Sequence, residues 1–225
     1  MSVSDCGRQF KEVFSFWGHI SEEDREELCR HTVAAKYKKG QHVHKGGDEC
    51  LGMLLIKKGE LRVYMLSEDG RDITLYRLSE NDVCILAASC VLDLITFDVF
   101  IDAEVDSEVY IVDASFFKEL CQRNIYAKCF GYEMTAARFS DVMWAMQQIL
   151  FMSADKRLAI FLNDEMAKNG SDVLKITHEQ IARYMGSARE VVSRLLKYFE
   201  REKIVELSRG GLKIIDRARL RELTK

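Results

Sequence analysis

The spacing of hydrophobic and polar residues changes along the chain and divides it into segments. Residues 8–31 have a helical pattern, and Ser21 precedes an acidic turn that is typical of a helix N-terminus. From about residue 33 to 113, short β-type runs alternate with turn sequences, at a spacing typical of a sandwich or barrel. The runs that predict strands are Met53–Ile56, Leu61–Leu66, Ile73–Leu78, Val99–Val105 and Val109–Val112.

A heptad pattern follows, in which apolar residues recur at alternating steps of four and three. It predicts one helix of about 39 Å, at roughly 1.5 Å per residue. The seam residues are Ile125, Cys129, Tyr132, Ala136, Phe139, Met143, Met146 and Leu150. This seam either pairs two copies of the helix in parallel or packs on its own domain, because Val142, Trp144 and Ile149 are apolar outside it. We favour the parallel homodimer. Another helix is predicted at about 154–168, with Asn169-Gly170 as its stop.

The segment Leu174–Ile215 predicts a winged helix-turn-helix. Thr177-His178-Glu179-Gln180 is a capping box that begins a short helix, and Gly186 ends it. Ser187-Ala188-Arg189-Glu190 has the form of a second capping box. Ile204–Leu207 and Leu212–Ile215 then predict a hairpin with a Gly-Gly turn, where a wing belongs.

The second of these helices has two chemically different faces. Its apolar stripe is Val192, Leu195, Leu196 and Phe199, and its opposite face carries Arg189, Glu190, Ser193, Arg194 and Lys197. Arginine can fork onto the two acceptors of guanine, and glutamate can accept from the cytosine amino group. A lysine in the position of Lys197 meets a phosphate. Ser187, Arg209 and Thr177 complete the set of predicted DNA-contacting residues.

The distribution of charge agrees with an anionic partner for this part of the chain. Residues 1–152 hold 17 Lys and Arg against 25 Asp and Glu, a net charge of −8. Residues 153–225 hold 16 against 11, a net charge of +5. Because residues 153–225 are basic and the rest of the chain is acidic, we expect double-stranded DNA to bind residues 153–225 and not the remainder.

Nearly the whole chain resembles the CRP/FNR family of bacterial transcription regulators. The resemblance rests on Ile181-Ala182 with Gly186–Arg194, on Tyr37–Gly47 and on Lys58–Val63. It implies an α+β fold with three parts: a β-roll sensor of jelly-roll type, similar to cyclic nucleotide-binding domains (1–122), a dimerisation helix (123–152) and a winged helix-turn-helix (153–225). It also implies that Arg189, Glu190 and Arg194 read bases, and Ser193 is similar to the FNR branch. Ala188 departs from the usual serine, which places the cap on Ser187.

The sensor region lacks the features with which family members bind cyclic nucleotides. Those members contact the ribose with a Gly-Glu pair and the phosphate with a later Arg-Ser or Arg-Thr, and the segment Glu80–Cys90 has no such pair. Residues 78–117 contain no Lys or Arg and nine carboxylates. Because a buried phosphate needs an opposite charge or many donors, we predict that cyclic AMP is not the effector.

The cysteines leave the cofactor open. With no export signal and no apolar run of membrane length, we expect a cytoplasmic protein whose seven cysteines are mostly reduced and form no disulfide framework. Cys84 and Cys90 flank the segment that would line the sensor pocket. They either pack as small hydrophobes or serve haem, an iron–sulfur cluster or thiol redox chemistry. His42 and His44 are interpreted as exposed strand histidines, so no metal site is predicted.

Two other classes of function are alternatives to a regulator. A thiol oxidoreductase would need a Cys-x-x-Cys or a Cys–His pairing, and neither is visible, so we predict no enzyme. An adaptor could use the winged helix to bind a protein, and a DNA mobility shift separates the two. RNA polymerase would be a further partner if the protein activates transcription. Neither the effector nor the target genes follow from the sequence.

Overall fold

The computed structural model describes residues 3–45, 51–68, 70, 72–85 and 99–225. The chain forms two compact units, Met1–Leu66 with Leu75–Val142, and Ser67–Thr74 with Met143–Lys225. The division into 1–122, 123–152 and 153–225 stays a prediction. No described helix carries an apolar stretch of membrane-spanning length.

The first unit begins with three short helices where the pattern predicted one helical segment. These are α1 (Val3–Val13), a 3-10 helix (Ser15–His19) and α2 (Glu22–Arg30). The oxygen of Ser21 accepts a hydrogen bond from the backbone nitrogen of Asp24 at 3.0 Å, which confirms the predicted N-terminus of α2.

Two four-stranded sheets follow and confirm the predicted β-roll. Their strands are β1 (Thr32–Tyr37), β2 (His42–His44), β3 (Met53–Lys58), β4 (Leu61–Leu66), β5 (Asp72–Leu78), β6 (Val83–Cys84), β7 (Phe100–Ala103) and β8 (Ser107–Val112). The strand orders are β1-β8-β3-β6 and β2-β7-β4-β5. The five predicted runs fall on β3, β4, β5, β7 and β8, and β2 carries His42 and His44, which were interpreted as strand histidines. The strands β1 and β6 were not predicted individually.

Strand β3 is buried on both faces, which explains its unbroken apolar run. Leu54 and Ile56 face the core between the two sheets, whereas Met53 and Leu55 face a second core beneath the helices. That second core is rich in aromatic rings, and its phenylalanines are Phe10, Phe14, Phe16, Phe116, Phe117 and Phe130.

The structure corrects the expectation for two of the cysteines. Cys6 on α1 and Cys29 on α2 are both buried and form a disulfide. The pairing depends on how the two helices pack against each other, and the sequence spacing of 23 residues gives no signal of it. Among the described cysteines, Cys84, Cys121 and Cys129 form no disulfide.

Two helices complete the described part of this region. The helix α3 (Ala114–Arg123) was not predicted, and it is capped by Asp113, whose carboxylate accepts from the nitrogen of Phe116 at 2.8 Å. Asn124 then caps α4 (Ile125–Phe151), the long helix that the heptad pattern predicted. All eight seam residues of α4 are exposed on the single chain.

The second unit is built around its own core. Its elements are α5 (Ala154–Asn169), β9 (Val173–Leu174), α6 (His178–Met185), α7 (Arg189–Arg201), β10 (Val205–Ser208), β11 (Gly211–Ile214) and α8 (Arg217–Glu222). The three strands form a sheet of order β10-β11-β9. As predicted, Gly170 ends α5 in the left-handed conformation, with φ +59°.

Candidate DNA-binding surface

Helix α6 begins at the predicted capping box. The oxygen of Thr177 accepts from the nitrogen of Gln180 at 3.2 Å, and the side-chain oxygen of Gln180 accepts from the nitrogen of Thr177 at 3.0 Å. These two bonds satisfy donors that a helix start leaves free. The hydroxyl of Thr177 is therefore already engaged in the cap, and its role towards DNA stays a prediction.

The turn between α6 and α7 is fixed by Gly186, which has φ +57° and ψ 43°. In this conformation, which glycine adopts without strain, the nitrogen of Ser187 donates to the oxygen of Ala182 at 2.9 Å. Ser187 thus closes the end of α6, and the N-cap of α7 falls one residue later, on Ala188. A methyl group cannot accept a hydrogen bond, so the predicted second capping box and the cap on Ser187 are wrong.

The recognition-helix candidate α7 separates its two faces sharply. Val192, Leu196 and Phe199 are fully buried in the core of the second unit, and Leu195 packs against that core. The polar residues of the other face are exposed, except for Ser193, which is half-buried. They are Arg189, Glu190, Ser193, Arg194 and Lys197.

The two arginines of this exposed face differ in their contacts with the rest of the protein. The Nε of Arg189 lies 4.0 Å from a carboxylate oxygen of Glu179 on α6, and both side chains are largely exposed. An ion pair of that length at the surface adds little stability, so it does not prevent Arg189 from turning to another anion. The described residues give Arg194 no ion pair or hydrogen bond.

The ring of His178 adds a contact that the sequence did not indicate. Its Nδ1 lies 3.3 Å from the oxygen of Ser193. The pKa of His178 is lowered by partial burial first and then by the positive charges of Arg189 and Lys197. The residues are 15 apart in sequence, and His178 stands out only as the first helical residue after a cap.

The wing follows α7 as an antiparallel hairpin, with Ser208 opposite Gly211. Its loop is therefore Arg209-Gly210, and Gly211 belongs to β11 instead of the turn. A Cβ on Gly211 would lie 2.5 Å from the backbone oxygen of Leu174, so the close approach of β9 requires a glycine there. The exposed side chain of Arg209 lies at the wing tip, where it was predicted.

Other charged side chains hold this fold together. Arg217 at the start of α8 forms two bonds of 2.7 Å with the carboxylate of Asp172, and this guanidinium lowers the pKa of Asp172. Arg157 on α5 donates to the oxygen of Met185 at 2.9 Å, at the end of α6. Desolvation lowers the pKa of Arg157. These residues position the helices and leave the exposed face of α7 accessible.

Of the two predicted sensor cysteines, only Cys84 lies within the described residues. Cys84 on β6 is fully buried, and its Sγ lies 3.8 Å from the hydroxyl of Tyr76. Burial first, and then Cys84, raise the pKa of Tyr76 well above its usual value. Cys90, like the preceding residues 86–89, lies outside the described residues. Within the described part of the chain, no three His, Cys, Asp or Glu side chains group as metal ligands do.

Comparisons with known proteins agree with both units. The model of the Crp-like helix-turn-helix domain matches residues 156–223, and that of the cyclic nucleotide-binding domain matches residues 34–124. One crystal structure similar to this chain is that of a protein from Eubacterium rectale assigned to the CRP/FNR family of transcriptional regulators. Its sequence is 42% identical to this chain. It covers 95% of this chain and 99% of its own, with a TM-score of 0.90.

Two more distant relatives are regulators that are named for different roles. The cAMP-activated global transcriptional regulator Vfr of Pseudomonas aeruginosa is 24% identical, over 81% of this chain and 89% of that protein. The fumarate and nitrate reduction regulatory protein of Vibrio cholerae is 25% identical, over 82% of this chain and 76% of that protein. The chain belongs to the CRP/FNR family of transcription regulators and carries that family's helix-turn-helix DNA-binding domain after a domain similar to cyclic nucleotide-binding domains in sequence.

Proposed function

We propose that this protein is a homodimer that regulates transcription by binding a specific, near-palindromic DNA site through α7 and the wing. The observation that carries the proposal is the two-faced character of α7. Its apolar stripe is held in the core, and its charged face is exposed over two helical turns. Such a helix fits the major groove, which is about 12 Å wide.

The exposed side chains fall into two groups, those that can read bases and those that can contact phosphates. Arg194 and Arg189 can each fork onto the acceptors of a guanine, and Glu190 can accept from a cytosine amino group. Lys197, further along α7, and Arg209 on the wing would contact phosphates and fix the register without reading sequence.

The exposed seam of α4 supports dimerisation. Phe139 and Leu150 are 65% and 64% exposed on the single chain, and the other seam residues are exposed as well. An apolar stripe of seven-residue period is stable only when another helix covers it. A parallel pair of identical helices has two-fold symmetry, and this symmetry is why we propose a near-palindromic site, with half-sites about 34–36 Å apart.

We further propose that the effector of the β-roll is not a cyclic nucleotide. Residues 78–117 supply no Lys or Arg to neutralise a phosphate. Arg138 of α4 does lie over the ring of Tyr76, at 5.1 Å, but its Nη1 is paired with Asp141 at 2.9 Å. Titration calorimetry with cyclic AMP and cyclic GMP tests this, and micromolar binding of either would overturn it.

The effector would act by shifting the balance between dimers that can and cannot bind DNA, which requires different affinities for the two states. Haem, an iron–sulfur cluster and thiol redox chemistry are the candidate signals. An ultraviolet–visible spectrum of protein purified without oxygen distinguishes them, because haem and iron–sulfur centres absorb in the visible range.

The DNA-binding proposal is tested by a mobility shift with genomic fragments at several salt concentrations. We expect a specific complex whose log affinity falls with log salt by about 0.9 for each phosphate neutralised. A protein that retards no fragment, and instead binds another protein through α7, would be an adaptor. We propose the cytoplasm as its place of action and RNA polymerase as a partner if it activates.

A further inference from the structure

His178 and Ser193 meet on the face of the second unit that the proposed function assigns to DNA. His178 is the first residue of α6, and Ser193 lies one turn into α7. The Gly186 turn brings the two helices together, so that Nδ1 of the half-buried imidazole lies 3.3 Å from the hydroxyl oxygen of Ser193. Ser193 is thus a residue predicted to contact DNA whose hydroxyl already has a protein partner.

The chemistry of this contact depends on the protonation of the ring. In the neutral imidazole with its proton on Nε2, Nδ1 accepts the hydroxyl proton of Ser193. The serine oxygen then has only lone pairs to offer to DNA, and it suits an amino group of adenine or cytosine. In the protonated ring, Nδ1 donates to the oxygen instead. The hydroxyl proton of Ser193 is then free for an acceptor such as guanine O6 or thymine O4.

We propose that His178 sets the hydrogen-bonding role of Ser193, so that base preference opposite Ser193 changes when the imidazole gains a proton. The inference rests on the proposed function, since Ser193 must reach a base edge for its donor or acceptor role to be read. His178 is a positioning residue here, because it acts on DNA sequence through another side chain.

Burial and nearby charges determine the protonation of the ring. Partial burial disfavours the protonated form of His178, and Arg189 and Lys197 on α7 repel a proton from it, so its pKa is below the ordinary value of 6.5. Glu179, next to His178 on α6, is paired with Arg189 at 4.0 Å. The free protein therefore keeps a neutral ring at pH 7.5. Phosphates of bound DNA act in the opposite direction and favour protonation as the pH falls.

The test measures base preference as a function of pH. A specific site is first obtained by selection from random duplexes at pH 7.5. Affinities of the full-length protein for duplexes carrying each base at each position are then measured between pH 5.5 and 8.5 at constant ionic strength. We expect one symmetry-related position where the preference between amino-bearing and acceptor bases shifts by about fivefold, the effect of one hydrogen bond.

Two variants and one control identify the origin of the shift. H178N keeps a polar side chain that does not titrate, and Ser193→Ala removes the group that reads the base. Both should bind with a preference that is independent of pH at that position. Replacing His42, an exposed strand histidine paired with Asp102 at 2.6 Å, by Gln should leave the shift intact.

Each result of these measurements either supports or overturns the role of His178. A wild-type preference that stays constant with pH, or a shift that survives in H178N, overturns the inference while the DNA-binding proposal stands. Failure to select any specific site overturns both. Nitrogen NMR of the free protein adds a check without DNA, because a neutral ring with its proton on Nδ1 would contradict the mechanism.

Discussion

Replacing Arg194 by alanine tests the recognition surface most directly. The side chain is exposed, and the described residues give it no ion pair or hydrogen bond, so its removal leaves the core of the second unit untouched. We expect the free energy of unfolding to change by less than about 0.5 kcal/mol, as for other surface substitutions. A loss of DNA binding in this variant would therefore report on the interface alone.

The magnitude follows from the geometry of a forked arginine. One bidentate contact to guanine contributes about 1–3 kcal/mol of discrimination against other bases. A dimer on a palindromic site makes the contact twice, and distant sites add, so the dimer should lose about 2–6 kcal/mol of discrimination. That corresponds to a factor of roughly thirty to twenty thousand in relative affinity.

The assay compares the cognate duplex with duplexes substituted at each position, by fluorescence anisotropy at fixed salt. R194A should lose preference at one symmetry-related base pair and keep it elsewhere. Arg194→Lys retains the charge without the fork and should lose nearly as much preference. Lys197→Ala is the matched control, which we expect to weaken all duplexes equally and to reduce the salt slope by about 0.9 per chain.

The reasoning fails in two recognisable ways. If R194A weakens every duplex by the same factor, Arg194 contacts a phosphate and does not read a base. If its base preferences equal those of the wild-type protein, α7 does not face the groove through this residue.

Three further predictions concern the rest of the chain. Phe139→Glu should convert the dimer to a folded monomer in sedimentation experiments. Gln147 is exposed but lies outside the seam, so Gln147→Glu should leave the dimer intact. A dimer in both variants would contradict dimerisation through the seam. Replacing Cys6 and Cys29 together by Ala should lower the free energy of unfolding in urea by about 3 kcal/mol, and reductant should destabilise only the wild-type protein. Gly211→Ala should shift the thermal midpoint down by several degrees, because its Cβ would meet the backbone of β9; an unchanged midpoint would show that the wing sits elsewhere.

Some features of the site could be predicted because their signals are local. A capping box, a glycine in the left-handed region and an apolar stripe of helical period each act within a few residues. For this reason α6, the turn and the apolar stripe of α7 were predicted correctly from the sequence, although the cap of α7 was not. The long helix was found in the same way, since its seam depends only on spacing along α4.

Other predictions were wrong because they depend on which hydrogen bonds form where two elements join. The cap of α7 shifted from Ser187 to Ala188 because the nitrogen of Ser187 is used to close α6. Helix α3 is a different case, because its start has a local signal, the cap Asp113 directly after β8, which the sequence analysis did not use.

The amino-acid sequence by itself determined the period of each segment, the family motifs and the two faces of α7, since these depend on residue type and spacing alone. Only the tertiary structure decided that Cys6 bonds to Cys29 and that His178 meets Ser193. Both pairs join different helices, and their contact is fixed by packing of the intervening chain, which no local rule of spacing specifies.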